Sequence, residues 1–276
     1  MMLKIFSYYS PSIFFISYYH NILRLLRKIW YNLDGDNMSD LDKLQSMIDE
    51  SNSIVFFGGA GVSTESGIKD FRSVDGLYNE KYDYPPEVML SRSFFNEHKQ
   101  EFFKFYKDKL NCLEIEPNIT HKYLKKLEDQ RKLSAIVTQN IDGLHEKAGN
   151  KKIYLLHGTI YKNHCMMCDK EYDANYVFNS KDIIPRCECK GIIKPDVVLY
   201  EEGLNEEVVN GAINAISNAD MLIIGGTSLV VYPAASFIRY FRGKYLVIIN
   251  KDATDYDRNA NLVIHDKLGN IFSKLK

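Results

Sequence analysis

The sequence has little that would mark a disulfide scaffold, a membrane span or a polyelectrolyte binder. Its 276 residues hold five cysteines, too few to staple a chain of this length. No run reaches the roughly 18 apolar residues that a membrane-crossing helix requires. Charge of one sign is missing too: 35 Lys and Arg stand against 36 Asp and Glu, a formal net charge of -1. A global electrostatic pull toward nucleic acid or an anionic membrane is therefore excluded, and partners have to be sought in local sites. Internal repeats and low-complexity tracts are also missing. What remains is length enough for one sizeable core plus a smaller appended module.

The first 37 residues differ from the rest. They are aromatic and aliphatic, but Pro11, His20, Asn21, Arg24, Arg27 and Lys28 interrupt them, and no small-residue cleavage site follows a clean apolar core. Leu and Ile alternate with basic residues around 22–30, so a helix lying on a membrane surface is the minor reading. The major one is an extension outside the mature fold. Met38 precedes Ser39-Asp40-Leu41-Asp42, a helix-start signal, so Met1 and Met38 both stand as starts and the folded domain is expected over 38–276.

From Ser39 onward the pattern is regular. Leu41, Leu44 and Ile48 recur at helical spacing, and 54–57 is an apolar run ending in Gly58-Gly59-Ala60-Gly61, a strand entering a glycine turn. Runs at 134–138, 152–156, 221–224, 245–249 and 261–264 are mostly apolar on both faces, as buried parallel strands are. Helical stretches separate them at 120–130, 205–218 and 232–241. This alternation predicts an α/β fold with a Rossmann-like, doubly wound parallel sheet. Two segments break the alternation and are expected to form a smaller domain. One is a Tyr- and Phe-rich insert at about 72–112, helical from near Ser93; the other, at about 160–195, carries four of the five cysteines.

Candidate chemistry gathers at the predicted strand ends, where open α/β sheets hold their ligand crevice. Gly59-Ala60-Gly61-Val62-Ser63-Thr64 departs from G-x-G-x-x-G because Thr64 replaces the third glycine. It reads either as a tight turn or as a loop whose N–H groups approach a pyrophosphate at a helix N-terminus. Asp70-Phe71-Arg72 follows: Arg can grip a phosphate with paired hydrogen bonds and Phe can cover a reactive ring, against the plainer reading of a surface ion pair. Gln139, Asn140 and Asp142 end another strand, with amides and a carboxylate suited to a ribose diol and a carboxamide. His145 nearby reads as structural or solvent-facing. His157, between Leu156 and Gly158, puts an imidazole of ordinary pKa near 6.5 at the next strand end, able to take up a proton at neutral pH. Val198 and Tyr200, Gly226-Thr227-Ser228, Val231 and Asn250-Lys251 supply further crevice edges.

Cys165 and Cys168 are followed, after eighteen residues, by Cys187 and Cys189. Two close pairs match a zinc ribbon, four thiolates around one tetrahedral ion at about 2.3 Å, in a reducing cytoplasm. Four thiolates close the coordination sphere, so the expected ion is structural. The second pair has one intervening residue instead of two and needs a tighter turn; a reduced cluster without metal is the alternative.

Taken in order, these motifs resemble the sirtuin family from about Ser39 to the C-terminus. The resemblance implies an NAD-dependent protein-lysine deacylase whose partners are acylated-lysine proteins or peptides, with no nucleic acid, acting as a monomer. It implies that His157 is the general base, with Asn140 and Asp142 also catalytic. Gly59, Ala60, Gly61, Thr64, Asp70, Phe71, Arg72, Gln139, Ile141, Gly226, Thr227, Ser228, Asn250, Lys251 and Leu268 would contact NAD. Val198, Tyr200 and Val231 would wall the acyl-lysine tunnel, and the four cysteines would hold zinc. Lys69 departs from the family's usual Pro, and Glu201 stands where many members carry Gly. Acid-acyl-selective members pair a Tyr with an Arg three residues on; here the counterparts are Tyr106 and Lys109. ADP-ribose transfer to a protein and a non-catalytic NAD sensor are the competing readings.

Overall fold

The fold is known from a computed structural model that describes residues 38–71, 76 and 84–276. The expectations for 1–37 and for Arg72 lie outside the described residues. The chain divides into two units, 1–43 and 44–276, and each is described by itself. In the first, the Ser39 hydroxyl accepts the Asp42 N–H at 3.2 Å, the cap that the helix-start signal called for.

The described elements, in chain order, are α1 (Asp40–Glu50), β1 (Ile54–Gly58), α2 (Pro86–Met89), α3 (Arg92–Glu97), α4 (Lys99–Lys109), α5 (Ile119–Asp129), β2 (Leu133–Thr138), α6 (Leu144–Lys147), β3 (Ile153–Leu155), β4 (Gly158–Cys165), β5 (Glu171–Asp173), α7 (Ala174–Phe178), β6 (Ile193–Val197), α8 (Glu206–Ser217), β7 (Met221–Gly225), β8 (Tyr245–Ile249), β9 (Leu262–Ile264) and α9 (Leu268–Phe272). Side-chain caps set several helix starts. Asn205 accepts the Val208 N–H at 3.0 Å ahead of α8, and Asn118 with His121 forms a capping box on α5.

Six strands make one sheet in the order β3-β2-β1-β7-β8-β9, every pair parallel. β1 and β7 are buried along their whole length, which explains runs without polar alternation. The strand order reverses direction at β1, whose Gly58 lies level with Thr138 on one side and Gly225 on the other. A crevice opens beyond carboxyl ends at such a switch point. The stretch expected as a helix at 232–241 is a 3-10 helix, Ala234–Tyr240.

A second sheet, antiparallel in the order β5-β4-β6, belongs to a separate buried cluster with Phe95, Phe102, Phe103 and Tyr106. The aromatic run of α4 therefore faces a core of its own: Tyr106 stacks on Phe102 at 5.9 Å and on Phe178 at 5.2 Å. Among the described residues, no helix is long and apolar enough to cross a membrane.

His145 is structural and not solvent-facing. Its ring is buried, with its centroid 4.7 Å from that of His121 and 6.3 Å from that of Phe56, and neither ring nitrogen finds a hydrogen-bond partner. Burial pushes the His121 pKa down to about 4 and holds His145 well below the ordinary histidine range, the neighbouring His121 adding to that shift. Both rings are neutral in the fold, whereas in the unfolded chain each takes up a proton near pH ~6.5. The unfolded state thus binds more protons as the pH falls from about 6.5, and stability drops across that window. Between about pH 7.5 and about pH 5 the expected loss is about 2 kcal/mol for His121, and His145 adds a loss of the same sign. A His145→Phe variant should flatten this pH slope in urea midpoints; an unaltered slope would show that the ring titrates alike in both states.

Candidate active site

Three strand ends deliver the polar cluster. Beyond β2, Asn140 and Asp142 are both buried, and the loop after β1 sends Ser63 to meet them. The Ser63 hydroxyl donates to Asp142 Oδ2 at 2.6 Å and accepts from Asn140 Nδ2 at 3.1 Å. Asp142 Oδ1 also accepts the Leu144 N–H at 3.0 Å, the start of α6. Burial raises the Asp142 pKa, and these hydrogen bonds pull against it. Ser63 stands within the glycine motif, yet as a small polar residue in a turn it carried no signal of this bridging position.

His157 follows β3 and is tied to the same loop. Its Nδ1 lies 2.9 Å from the carbonyl oxygen of Gln139. A carbonyl only accepts, so Nδ1 carries the proton and the lone pair of the neutral ring sits on Nε2. Burial lowers the His157 pKa, partly countered by that carbonyl. The ring is therefore neutral at neutral pH, the state a general base requires. The carbonyl of His157 in turn accepts the Val198 N–H at 2.9 Å.

The other wall is built on close backbone approach. Gly61 N–H donates to the Gly226 carbonyl at 2.8 Å. A Cβ on Gly61 would come within 2.8 Å of Gly226 Cα, and Gly226 itself has a φ of +61°, a left-handed geometry suited to glycine. Gln139 Nε2 donates to Thr227 Oγ1 at 3.0 Å. Asn250 spans the Thr227 backbone, accepting its N–H at 3.1 Å and donating to its carbonyl at 2.9 Å. Of the two readings of this loop, the one that leads into a helix N-terminus finds no α-helix here: the loop runs through two short 3-10 turns, Ala60–Val62 and Thr64–Ser66. Ser63 sits between the two turns, its N–H on the Ala60 carbonyl, but its hydroxyl, committed to Asp142, makes no side-chain cap for the second.

Hydrogen bonds thus join Asn140, Asp142, Gln139, His157, Gly61, Gly226, Thr227 and Asn250 along one sheet edge. Gly59 packs on Thr227 with no room for a Cβ, and the Leu268 side chain lies against Gly225. Phe71 and Ile141 pack on the second core. Thr64 is exposed, its hydroxyl 3.0 Å from the Gly61 carbonyl. Ser228 and Lys251 are exposed at the rim; Ala60, Asp70 and Val231 are half-buried, and Tyr200 is exposed.

The four Sγ atoms of Cys165, Cys168, Cys187 and Cys189 lie within 4.8 Å of one another. Neighbouring pairs stand 3.4 to 3.6 Å apart, close to the ~3.8 Å edge of a tetrahedron with ~2.3 Å metal–sulfur bonds. The donor set fits one zinc ion with no position left for water. The single-residue spacing of the second pair is accommodated, with the Tyr172 hydroxyl donating to Cys187 Sγ at 3.0 Å. Cys112 is a buried core thiol, its Sγ 3.6 Å from the Asp142 carbonyl.

Comparison with known proteins agrees with this geometry. The Sir2 family profile matches residues 59–233. The NAD-dependent protein deacetylase of Clostridium acetobutylicum is 56% identical over 237 residues, covering 85% of this chain and 97% of the relative. That of Clostridium perfringens is 56% identical over 239 residues, covering 85% and 98%. Among solved structures, a Sir2 protein with a deacetylated p53 peptide and 3′-O-acetyl-ADP-ribose superposes with a TM-score of 0.78 at 34% identity, covering 84% of this chain and 96% of that one. A Sir2 complex with p53 peptide and NAD+ gives 0.76 at 34% identity, covering 86% and 97%. With more than half of its length matched and relatives above half identity, this chain belongs to the Sir2 family.

Proposed function

We propose that the chain is an NAD-dependent protein-lysine deacylase that converts an acyl-lysine peptide, NAD and water to free lysine, nicotinamide and O-acyl-ADP-ribose. The observation that carries the reading is the His157 tautomer: with Nδ1–H given to the Gln139 carbonyl, the Nε2 lone pair is left for chemistry at the edge where Asn140 and Asp142 converge. Deacetylase relatives and Sir2 complexes with peptide, NAD+ and acetyl-ADP-ribose support the same reaction.

When bound, NAD supplies an activated ribose C1′ from which nicotinamide can depart as the acyl oxygen attacks. Asp142, fixed by Ser63 and the Leu144 N–H, holds the carboxamide with Ile141. His157 Nε2 takes the proton of a ribose hydroxyl. Asn140 and Ser228 position ribose or water. Gly59, Ala60, Gly61 and Thr64 face the phosphates with Gly226 and Thr227, while Asn250, Lys251 and Leu268 lie on the adenosine side. Gln139 keeps the wall in register through Thr227. Asp70 contacts the cofactor, Arg72, outside the described residues, is assigned by the family resemblance to order the loop and phosphates, and Phe71 shields the reacting centre from water. Val198, Tyr200 and Val231 wall the channel for the acyl-lysine, whose peptide lies extended between the two segments. In this reading the catalytic domain spans 38–276, with inserts at about 72–112 and 160–195, and works as a monomer. The free thiols suit a reducing compartment such as the cytoplasm.

Two outcomes test the reading. Incubated with NAD and a panel of acyl-lysine peptides, the protein should release nicotinamide only when acyl peptide is present, and His157→Ala should cut kcat by about 10²–10⁴-fold; undiminished release from the variant would refute the assigned base. Native mass spectrometry should find one zinc per chain. Cys187→Ser should lose it and unfold at lower urea, because a structural zinc contributes folding energy directly.

A further inference from the structure

Glu201 has a φ of +74°, the left-handed region that favours glycine, yet its side chain is fully engaged. Its carboxylate takes two hydrogen bonds from one residue of the helical insert: Ser93 N–H donates to Oε2 at 2.9 Å and the Ser93 hydroxyl to Oε1 at 2.9 Å. Ser93 lies in the first turn of α3, where backbone N–H groups have no partner within the helix. Ser91 accepts the next such donor, Phe94 N–H, at 3.2 Å. Beside this cap runs a backbone clamp, in which Tyr200 N–H donates to the Leu90 carbonyl and Arg92 N–H to the Tyr200 carbonyl, each at 3.0 Å. Two consecutive residues thus make four hydrogen bonds to residues 90–93. At its other end the same segment is held by Val198 N–H on the His157 carbonyl, 2.9 Å away. Residues 198–201 form a strap between the general base and the helical insert, and the two carboxylate bonds are its charge-assisted fastening.

We infer that Glu201 is a positioning residue for the substrate: it fixes the 198–200 segment and so sets affinity for the acylated peptide, while contributing little to NAD binding. The inference rests on the reading of Val198 and Tyr200 as substrate walls given above. It separates from a purely structural role because Glu201→Gly pulls two ways. Glycine relaxes the left-handed backbone and reduces strain, but it releases the strap.

The test uses the full chain, a fluorescein-labelled acetyl-lysine peptide and three variants, Glu201→Gly, Glu201→Gln and Ser93→Ala. Glu201→Gly should weaken peptide binding by fluorescence anisotropy, and raise the peptide KM, by about fivefold to tenfold, the scale of one lost exposed hydrogen bond. The KM for NAD and the Tm should stay near those of the parent. Glu201→Gln keeps an acceptor oxygen and should fall in between; Ser93→Ala, which retains its N–H, should do the same. Parent-like peptide affinity in Glu201→Gly overturns the inference, as does a matching rise in the KM for NAD, which would mean general loosening. If the parent protein neither binds nor deacylates the peptide, the proposed function itself fails, a result visible before any variant is made.

Discussion

The hydroxyl of Ser63 is the joint on which the site depends, because it hydrogen-bonds both Asn140 and Asp142 of the loop after β2. It gives its proton to Asp142 and receives one from Asn140, so the orientation of each depends on the other. Asp142 is buried, and removing a carboxylate from water costs several kcal/mol even after relaxation. Each hydrogen bond to a charged group returns about 1.5–3 kcal/mol. Asp142 has such bonds from Ser63 and Leu144, yet its pKa is still raised, with burial the largest cause. Desolvation therefore exceeds the hydrogen bonding. A carboxylate left in this state gains from a further donor, and a carboxamide N–H is one.

That joint works because the loops leaving β1 and β7 keep their backbones in contact. Gly61 and Gly226 meet with no space for a Cβ on either, which lets the loop bearing Ser63 cross the sheet edge instead of rising away from it. The 3-10 turns follow from the same constraint. The residue in the cap position before Ala60 is Gly59, which has no side chain to accept an N–H. The anion-binding reading of this loop consequently rests on its backbone N–H groups more than on a helix dipole.

Much of the sheet was legible in the sequence because parallel strands buried on both faces write themselves as uninterrupted apolar runs, as Ile54 to Phe57 and Met221 to Ile224 do. The crevice residues were legible for the converse reason: Gln139, Asn140 and Asp142 are polar where the pattern demands apolar. Other features left no such trace. Ser63 looks like an ordinary turn residue, and its partner is 79 positions away. The antiparallel ribbon is short and half-exposed, so its cysteines were visible while its strands were not. His145 could not be assigned from periodicity, since a buried histidine without partners breaks the expectation that buried polar groups are satisfied. Glu201 reads as a surface acid at a position where many family members carry Gly; its φ and its two bonds from Ser93 show what the side chain does there.

The ribbon matters to the chemistry because of where its strands begin and end. β4 starts at Gly158, directly after His157, and β6 ends at Val197, directly before the Val198 N–H that holds the His157 carbonyl. In the ladder Gly158 lies opposite Val197, and Cys165 opposite Ile193. Gly158 has a φ of +74°, and a Cβ there would sit 1.9 Å from the Asp196 carbonyl, so the two strands meet at the base as tightly as backbones can. The thiolate cluster closes the other end, four residue steps along β6, roughly 13 Å away. A metal with no open coordination position cannot act on substrate, but it can keep this two-stranded lever in register. His157 is thereby held from both sides, by the Gln139 carbonyl on its ring and by the Val198 amide on its backbone. Of these, the second persists only while the ribbon stays closed.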